Sequence, residues 1–167
     1  AVYVGRIDEN KGCKELFEAF QAYLRNDAGH LSLVLIGNSL LEVPAHPRIR
    51  HLGFIDDRDK FDGMAVGELL VMPSYSESLS MVALEAWALG RPVLANGRCD
   101  VLKGQCIRSN AGLYYENEEE FVESLNALER NRWLSGGLGR NGRTFFRDNY
   151  DWRIIEQKYL DMLARLS

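Results

Sequence analysis

The sequence predicts an α/β domain with a doubly wound, Rossmann-like parallel sheet of about six strands and extra C-terminal helices, and three observations lead there. Short β-rich runs alternate with stretches whose apolar residues recur at helical spacing; the runs are apolar on both faces; and the last third reads as helix alone. A chain of 167 residues with 46% hydrophobic content is the size of one domain and buries a real core without disulfides or metals. Residues 1–167 are therefore expected to form a single domain.

The first strand candidate, Val2 to Ile7, begins at once, with no initiator Met before Ala1. A preceding segment is expected, and an active site built between two domains would then be half present. Leu16, Phe17, Phe20 and Leu24 follow at helical spacing, then a second strand from Leu31 to Ile36, apolar throughout and closed by Gly37. A third strand spans Ile49 to Ile55, and Asp57-Arg58-Asp59 opens a helix behind it, where acidic side chains suit the helix dipole. The fourth strand, Leu69 to Pro73, runs into a polar loop. Met81, Val82, Leu84 and Leu89 then mark a helix from Ser78 or Ser80 to Leu89, ended by Gly90 as its C-terminal glycine and by Pro92. Strands at Pro92 to Asn96 and Leu113 to Tyr115 complete the sheet. Asn117 is the N-cap of a further helix, with Glu118 to Glu120 in its first turn and Phe121, Val122, Leu125 and Leu128 along one face. Helices continue through Leu166. The last, from about Asp151, aligns Trp152, Ile155, Tyr159, Met162, Leu163 and Leu166 near one stripe, which reads as a docking face.

A net charge of -4 supplies no general attraction for nucleic acid or an anionic membrane, so phosphate binding has to come from individually placed groups. Cys13, Cys99 and Cys106 are odd in number and widely spaced, which argues against a disulfide framework or a zinc site and for a reducing, cytoplasmic setting. No signal peptide is visible, and the longest apolar runs are of strand length.

In a doubly wound sheet ligands bind at the carboxyl ends of the strands, so the loops that follow strands carry the chemistry. Strand one ends in Gly5-Arg6, and Lys11-Gly12 stands at the start of the first helix. Arg6 and Lys11 read either as a phosphate clamp reinforced by helix-end amides or as two solvated surface charges. In the second cluster, Pro73 to Gly90, Glu85 sits in the first half of the helix and leans back toward the loop that carries Glu77. Two carboxylates would thus frame one helix N-terminus. A carboxylate on an apolar helix needs donors, which ligand hydroxyls or a neighbouring Ser, Tyr or amide supply.

Taken together, Gly5-Arg6 with Lys11-Gly12, Pro73-Ser with Glu77-x7-Glu85-Ala, and Gly90-x-Pro92-Val93 resemble the donor half of a family-4 retaining glycosyltransferase. The resemblance covers nearly the whole chain. It implies one half of a GT-B fold, whose N-terminal acceptor domain lies outside these residues, and a nucleotide diphosphate sugar (UDP-, GDP- or ADP-linked) as donor. By that likeness Arg6 and Lys11 hold the diphosphate, and Glu77 with the amides of Ser78, Leu79, Ser80 and Met81 holds sugar and phosphates. Glu85 takes the ribose hydroxyls, and Gly5, Gly37 and Gly53 lie along the nucleotide. No cofactor or metal is implied, nor any nucleic acid; peripheral membrane association would run through the other half. Where the family commonly has Gly-Phe-Gly after the first Glu, this chain has Ser78-Leu79-Ser80, which leaves the donor sugar open.

Gly137 to Gly142 satisfies G-x-G-x-x-G but follows a helical region rather than a strand, so it is not read as a dinucleotide loop. Asp57-Arg58-Asp59 is read as a helix start rather than a metal site, and His30, His46 and His51 show no ligand spacing. The expected function is sugar transfer to a saccharide or lipid-linked glycan acceptor by a retaining, metal-independent enzyme, with this domain inactive alone. A non-catalytic nucleotide-sugar-binding module and a GT-B sugar-nucleotide epimerase stand as alternatives.

Overall fold

The computed structural model describes residues 1–25 and 29–165. The elements run β1 (Val2–Val4), α1 (Cys13–Arg25), β2 (Leu33–Ile36), β3 (Ile49–His51), α2 (Asp57–Val66), β4 (Leu70–Met72) and α3 (Met81–Ala88), then β5 (Val93–Asn96), α4 (Asp100–Ser109), β6 (Gly112–Tyr115), α5 (Glu118–Arg130), α6 (Arg132–Tyr150) and α7 (Trp152–Ala164). The six strands lie in the order β3-β2-β1-β4-β5-β6, every neighbouring pair parallel. The chain therefore winds outward from β1 to one edge, returns through α2 to β4, and winds outward to the other edge. Winding reverses between β1 and β4, and the loops leaving those two strands part there and open a crevice.

Alternation along each strand feeds two apolar layers. Tyr3, Leu33, Leu35, Val71 and Leu94 pack with Phe17, Phe20 and Phe121 of α1 and α5, while Val2, Val4, Ile36, Leu70, Met72, Val93 and Ala95 pack with Met64, Leu84, Trp87 and Leu102. Because both faces are covered, the strands read as continuous apolar runs rather than alternating ones.

All six predicted strands are present, five of them trimmed at their ends and β6 one residue longer, from Gly112. β1 stops at Val4 because Gly5 turns out of the sheet at φ +149, leaving Ile7 with an isolated bridge to Ser39. α3 starts on Ser80 as N-cap and closes as predicted on Gly90, whose N–H donates to Trp87 O at 2.9 Å while Arg91 N–H donates to Ala86 O at 2.8 Å. α4 carries no clear periodic signal in the sequence, since its buried face mixes Leu102 and Cys106 with Gln105 and Ser109.

The glycines of the G-x-G-x-x-G stretch lie inside α6 and serve packing. A Cβ on Gly139 would collide with the carbonyl oxygen of Gly90, and one on Gly142 would collide with the Trp87 ring, so these glycines let α6 lie directly on α3. The stripe expected on the last helix is not docked here: no described residue of α7 is buried, and Trp152, Tyr159, Met162 and Leu163 are exposed. Leu166, the end of that stripe, lies outside the described residues. Among the described residues no helix is long and apolar enough to cross a membrane.

Candidate functional site

Three strands end side by side in glycine at the carboxyl edge of the sheet. Gly5 N–H donates to Ile36 O at 2.9 Å and Gly37 N–H donates to Gly53 O at 2.8 Å. Gly37 approaches so closely that a Cβ there would strike the Gly5 carbonyl. His51, exposed on the edge strand β3, sets its Nε2 2.8 Å from Gly37 O.

Beyond Gly5 the loop is organised by Asp8, a buried residue that the sequence did not single out. Its Oδ1 accepts the Lys11 N–H at 2.8 Å, and its Oδ2 accepts from Arg6 Nε. The hydrogen bond from Arg6 holds the Asp8 carboxyl below its ordinary range against the opposing effect of burial, and the Lys11 amide adds to it. Beneath the turn, Tyr3 OH donates to Arg6 O at 2.6 Å; burial above all pushes that phenol up, so it stays a donor. The Arg6 side chain is 58% exposed. Arg6 and Lys11 thus share one carboxylate as organiser, Arg6 through its side chain and Lys11 through its backbone.

The Lys11 ammonium crosses the switch point to Glu77, with Nζ 2.8 Å from Oε1. Glu77 belongs to the loop between β4 and α3, which is fastened at both ends by buried amides. Asn96 Nδ2 donates to Pro73 O at 2.9 Å, and Gln105 Nε2 donates to Leu79 O at 2.5 Å. Ser80, at φ +60, caps α3 by accepting the Ala83 N–H at 3.4 Å. A non-glycine residue in the left-handed region is uncommon, and here it sits at the helix entrance.

Gly5, Lys11, Ser74, Glu77, Ser80, Met81 and Val82, with Tyr3, Val4 and Met72 beneath, enclose a cleft of about 110 Å³. Of the predicted site residues, the structure brings Gly5, Lys11, Glu77, Ser80 and Met81 to this cleft; Gly37 and Gly53 lie along the neighbouring strand ends. Ser78 is exposed on the loop, and Leu79 is half-buried against the second apolar layer. Glu85 does not line the cleft. Its Oε1 pairs with Lys60 of α2 at 3.2 Å, and its Oε2 is buried with no hydrogen-bond partner among the described residues. Burial works against the charge on Lys60, but hydrogen bonds to Asp57 and Glu85 outweigh it and raise its pKa.

Sequence reasoning missed Asp8, Lys60, Asn96 and Gln105, and quoted Ser74 in the Pro73-Ser motif without giving it a role. A local signal existed for Asp8 alone, an aspartate whose side chain accepts an N–H three residues on. A larger hollow of about 400 Å³ lies at the amino ends of the strands, by Leu31, Glu68 and Pro92. The smaller cleft is the better candidate because it stands at the switch point, where an ammonium and the N-terminus of α3 meet. Such a set takes an anion on the cation and helix amides, and hydroxyls on the carboxylate.

The model of the family described as Glycosyl transferases group 1 matches residues 1–131. A D-inositol 3-phosphate glycosyltransferase of Corynebacterium efficiens is 33% identical over 110 residues, covering 56% of this chain and 25% of that protein. The chain thus spans about a quarter of the length of curated relatives of this kind. Among solved structures, Anabaena HepE in complex with UDP superimposes with a TM-score of 0.82 at 19% identity, over 98% of this chain and 48% of that one. The C-terminal domain of a glycosyl transferase group 1 family protein, LpcC of Francisella tularensis, superimposes with a TM-score of 0.74 at 19% identity, over 90% of this chain and 86% of that one. The fold is that of GT-B C-terminal domains.

Proposed function

This chain belongs to the group 1 glycosyl transferases, and from that premise we propose that it is the donor-binding domain of a retaining, metal-independent glycosyltransferase. The observation that carries the proposal is the Lys11–Glu77 pair at the switch point, facing the N-terminus of α3. The donor is a nucleotide diphosphate sugar. HepE, of the same fold, is solved with UDP, which makes a UDP-sugar the first choice.

In this reading the reaction breaks the bond between anomeric carbon and phosphate, and negative charge grows on the leaving diphosphate. Lys11, Arg6 and the first-turn amides of α3 stabilise that charge as it develops. An ammonium has three N–H donors, so Lys11 keeps two for phosphate while it holds Glu77. Glu77 accepts from sugar hydroxyls and Glu85 from the ribose, with Gly37 and Gly53 beside the nucleoside. The retaining outcome rests on the resemblance of Glu77-x7-Glu85 and its companions to family-4 enzymes. The acceptor, a saccharide or lipid-linked glycan, is bound by a facing domain, in keeping with a chain that spans about half of HepE. The three buried free cysteines suit work in the reducing cytoplasm, where the donor would be met.

A thermal-shift panel of UDP-, GDP- and ADP-sugars tests the proposal. One base should raise the melting temperature by several degrees at saturating ligand. No shift with any of the three would refute donor binding.

A further inference from the structure

We propose that the Ser74 hydroxyl donates a hydrogen bond to the diphosphate of the bound nucleotide; this rests on the donor-site reading above. Ser74 borders the cleft together with Lys11, Glu77 and Ser80. It is 1% exposed, and its Oγ has no hydrogen-bond partner among the described residues. Several polar groups of the same loop are engaged. Pro73 O accepts from Asn96, Leu79 O from Gln105, Ser80 Oγ from the Ala83 N–H, and Glu77 from Lys11.

A buried hydroxyl without a partner destabilises the fold, and alanine would occupy the same space without leaving a polar atom stranded. The loop nonetheless carries serine there, bordering a cleft that also holds an ammonium and a helix N-terminus. That surrounding selects the ligand group. The first-turn amides of α3, with Lys11 once it exchanges Glu77 for phosphate, suit the diphosphate, whose oxygens only accept. A serine hydroxyl meets such an oxygen as a donor, whereas the sugar hydroxyls have Glu77 as their acceptor. The stranded donor of the free chain thus gains its partner when the nucleotide enters.

The test compares wild type with Ser74→Ala in this chain, by melting and by calorimetric titration with UDP and UDP-glucose, or with the GDP or ADP pair if the panel above selects that base. Ser74→Ala should melt at the same temperature as wild type or higher. It should bind the free diphosphate and the diphosphate sugar weaker by the same factor, about tenfold. Ser74→Cys, close in volume but a weak donor, should show the same loss while remaining folded. Unchanged affinity would mean that the hydroxyl is idle or held by water, and would overturn the inference. So would a loss confined to UDP-glucose, which would put the contact on the sugar, or a lower melting temperature in both variants, which would make Ser74 structural. A wild-type chain that binds none of the nucleotides would instead sink the donor-site reading itself.

Discussion

Lys11→Ala is the most informative single change, because it removes the charge that links the two halves of the cleft. In the free chain the ammonium sits 2.8 Å from Glu77 Oε1, with the two side chains 35% and 13% exposed. A pair this sheltered lies between a surface ion pair, worth about 0–1 kcal/mol, and a buried one whose disruption costs about 3–5 kcal/mol. A loss of roughly 1–2 kcal/mol follows, or a few degrees of melting temperature for a domain this size. Nucleotide binding should fall further. Removing a charged hydrogen bond to phosphate costs about 1.5–3 kcal/mol, roughly tenfold to a hundredfold in affinity. Glu77 would then face the diphosphate without its counter-ion, at a repulsion of up to about 4 kcal/mol for charges 4 Å apart near a protein surface. Isothermal titration of the chain with UDP measures the first loss, and Lys11→Ala with Glu77→Gln isolates the second. The double variant should recover part of the affinity that the single one loses. Where turnover is measured, the rate should drop roughly a hundredfold to a thousandfold, as when one oxyanion donor is removed. An affinity for UDP within threefold of wild type in Lys11→Ala would refute the role given to Lys11.

Gly139→Ala should destabilise the fold by roughly 1–3 kcal/mol, because the added Cβ collides with the Gly90 backbone and no flexible side chain is there to give way. A melting temperature equal to wild type would show that α6 does not rest on α3 as described. Asp8→Asn tests the organiser of the first loop through pH. The Asp8 carboxyl is held below its ordinary value by the hydrogen bond from Arg6, so its ionised form stabilises the fold fully above the unfolded value of about 3.9, and that contribution disappears as pH falls through the lower folded value. The melting-temperature gap between wild type and Asp8→Asn should therefore be widest near neutrality and close in acid. A gap that stays constant from pH 7 to pH 2 would contradict this.

What the sequence made legible is what short stretches of chain decide for themselves. Six strands and the start and stop of α3 were readable because short apolar runs, a serine N-cap, Gly90 and Pro92 act within a few residues of where they stand. α4 was not readable, since half of its buried face is polar, with Gln105 Nε2 donating to Leu79 O and Ser109 Oγ to the helix's own carbonyls. The glycines of α6 misled only as a motif. As residues they mark a close backbone approach, which is the physical content a glycine reading should have kept. Side-chain partners were the hardest to foresee. Lys11 meets Glu77 across 66 residues and Lys60 meets Glu85 across 25, and neither separation means anything until the order β3-β2-β1-β4-β5-β6 is known.

The spacing of Glu77 and Glu85 suggested two carboxylates framing one helix end, and Glu77 does sit on the loop and Glu85 in α3, but Glu85 does not line the cleft. The two therefore answer to different neighbours, Glu77 to α1 through Lys11 and Glu85 to α2 through Lys60. This bears on how a chain of net charge -4 would attract the diphosphate of the proposed donor. Arg6 is matched by Asp8, Lys11 by Glu77, and Lys60 by Glu85 and Asp57, so the free site holds no surplus positive charge. Attraction must then come from groups whose charge is not already neutralised, the amides at the start of α3, and from exchange of partners. In the proposed reading the diphosphate takes Lys11 as its counter-ion while the sugar hydroxyls take over Glu77. An ion pair broken and remade in this way would set the affinity by the difference between two paired arrangements, which would favour release of the product once the sugar is gone and Glu77 reclaims its lysine.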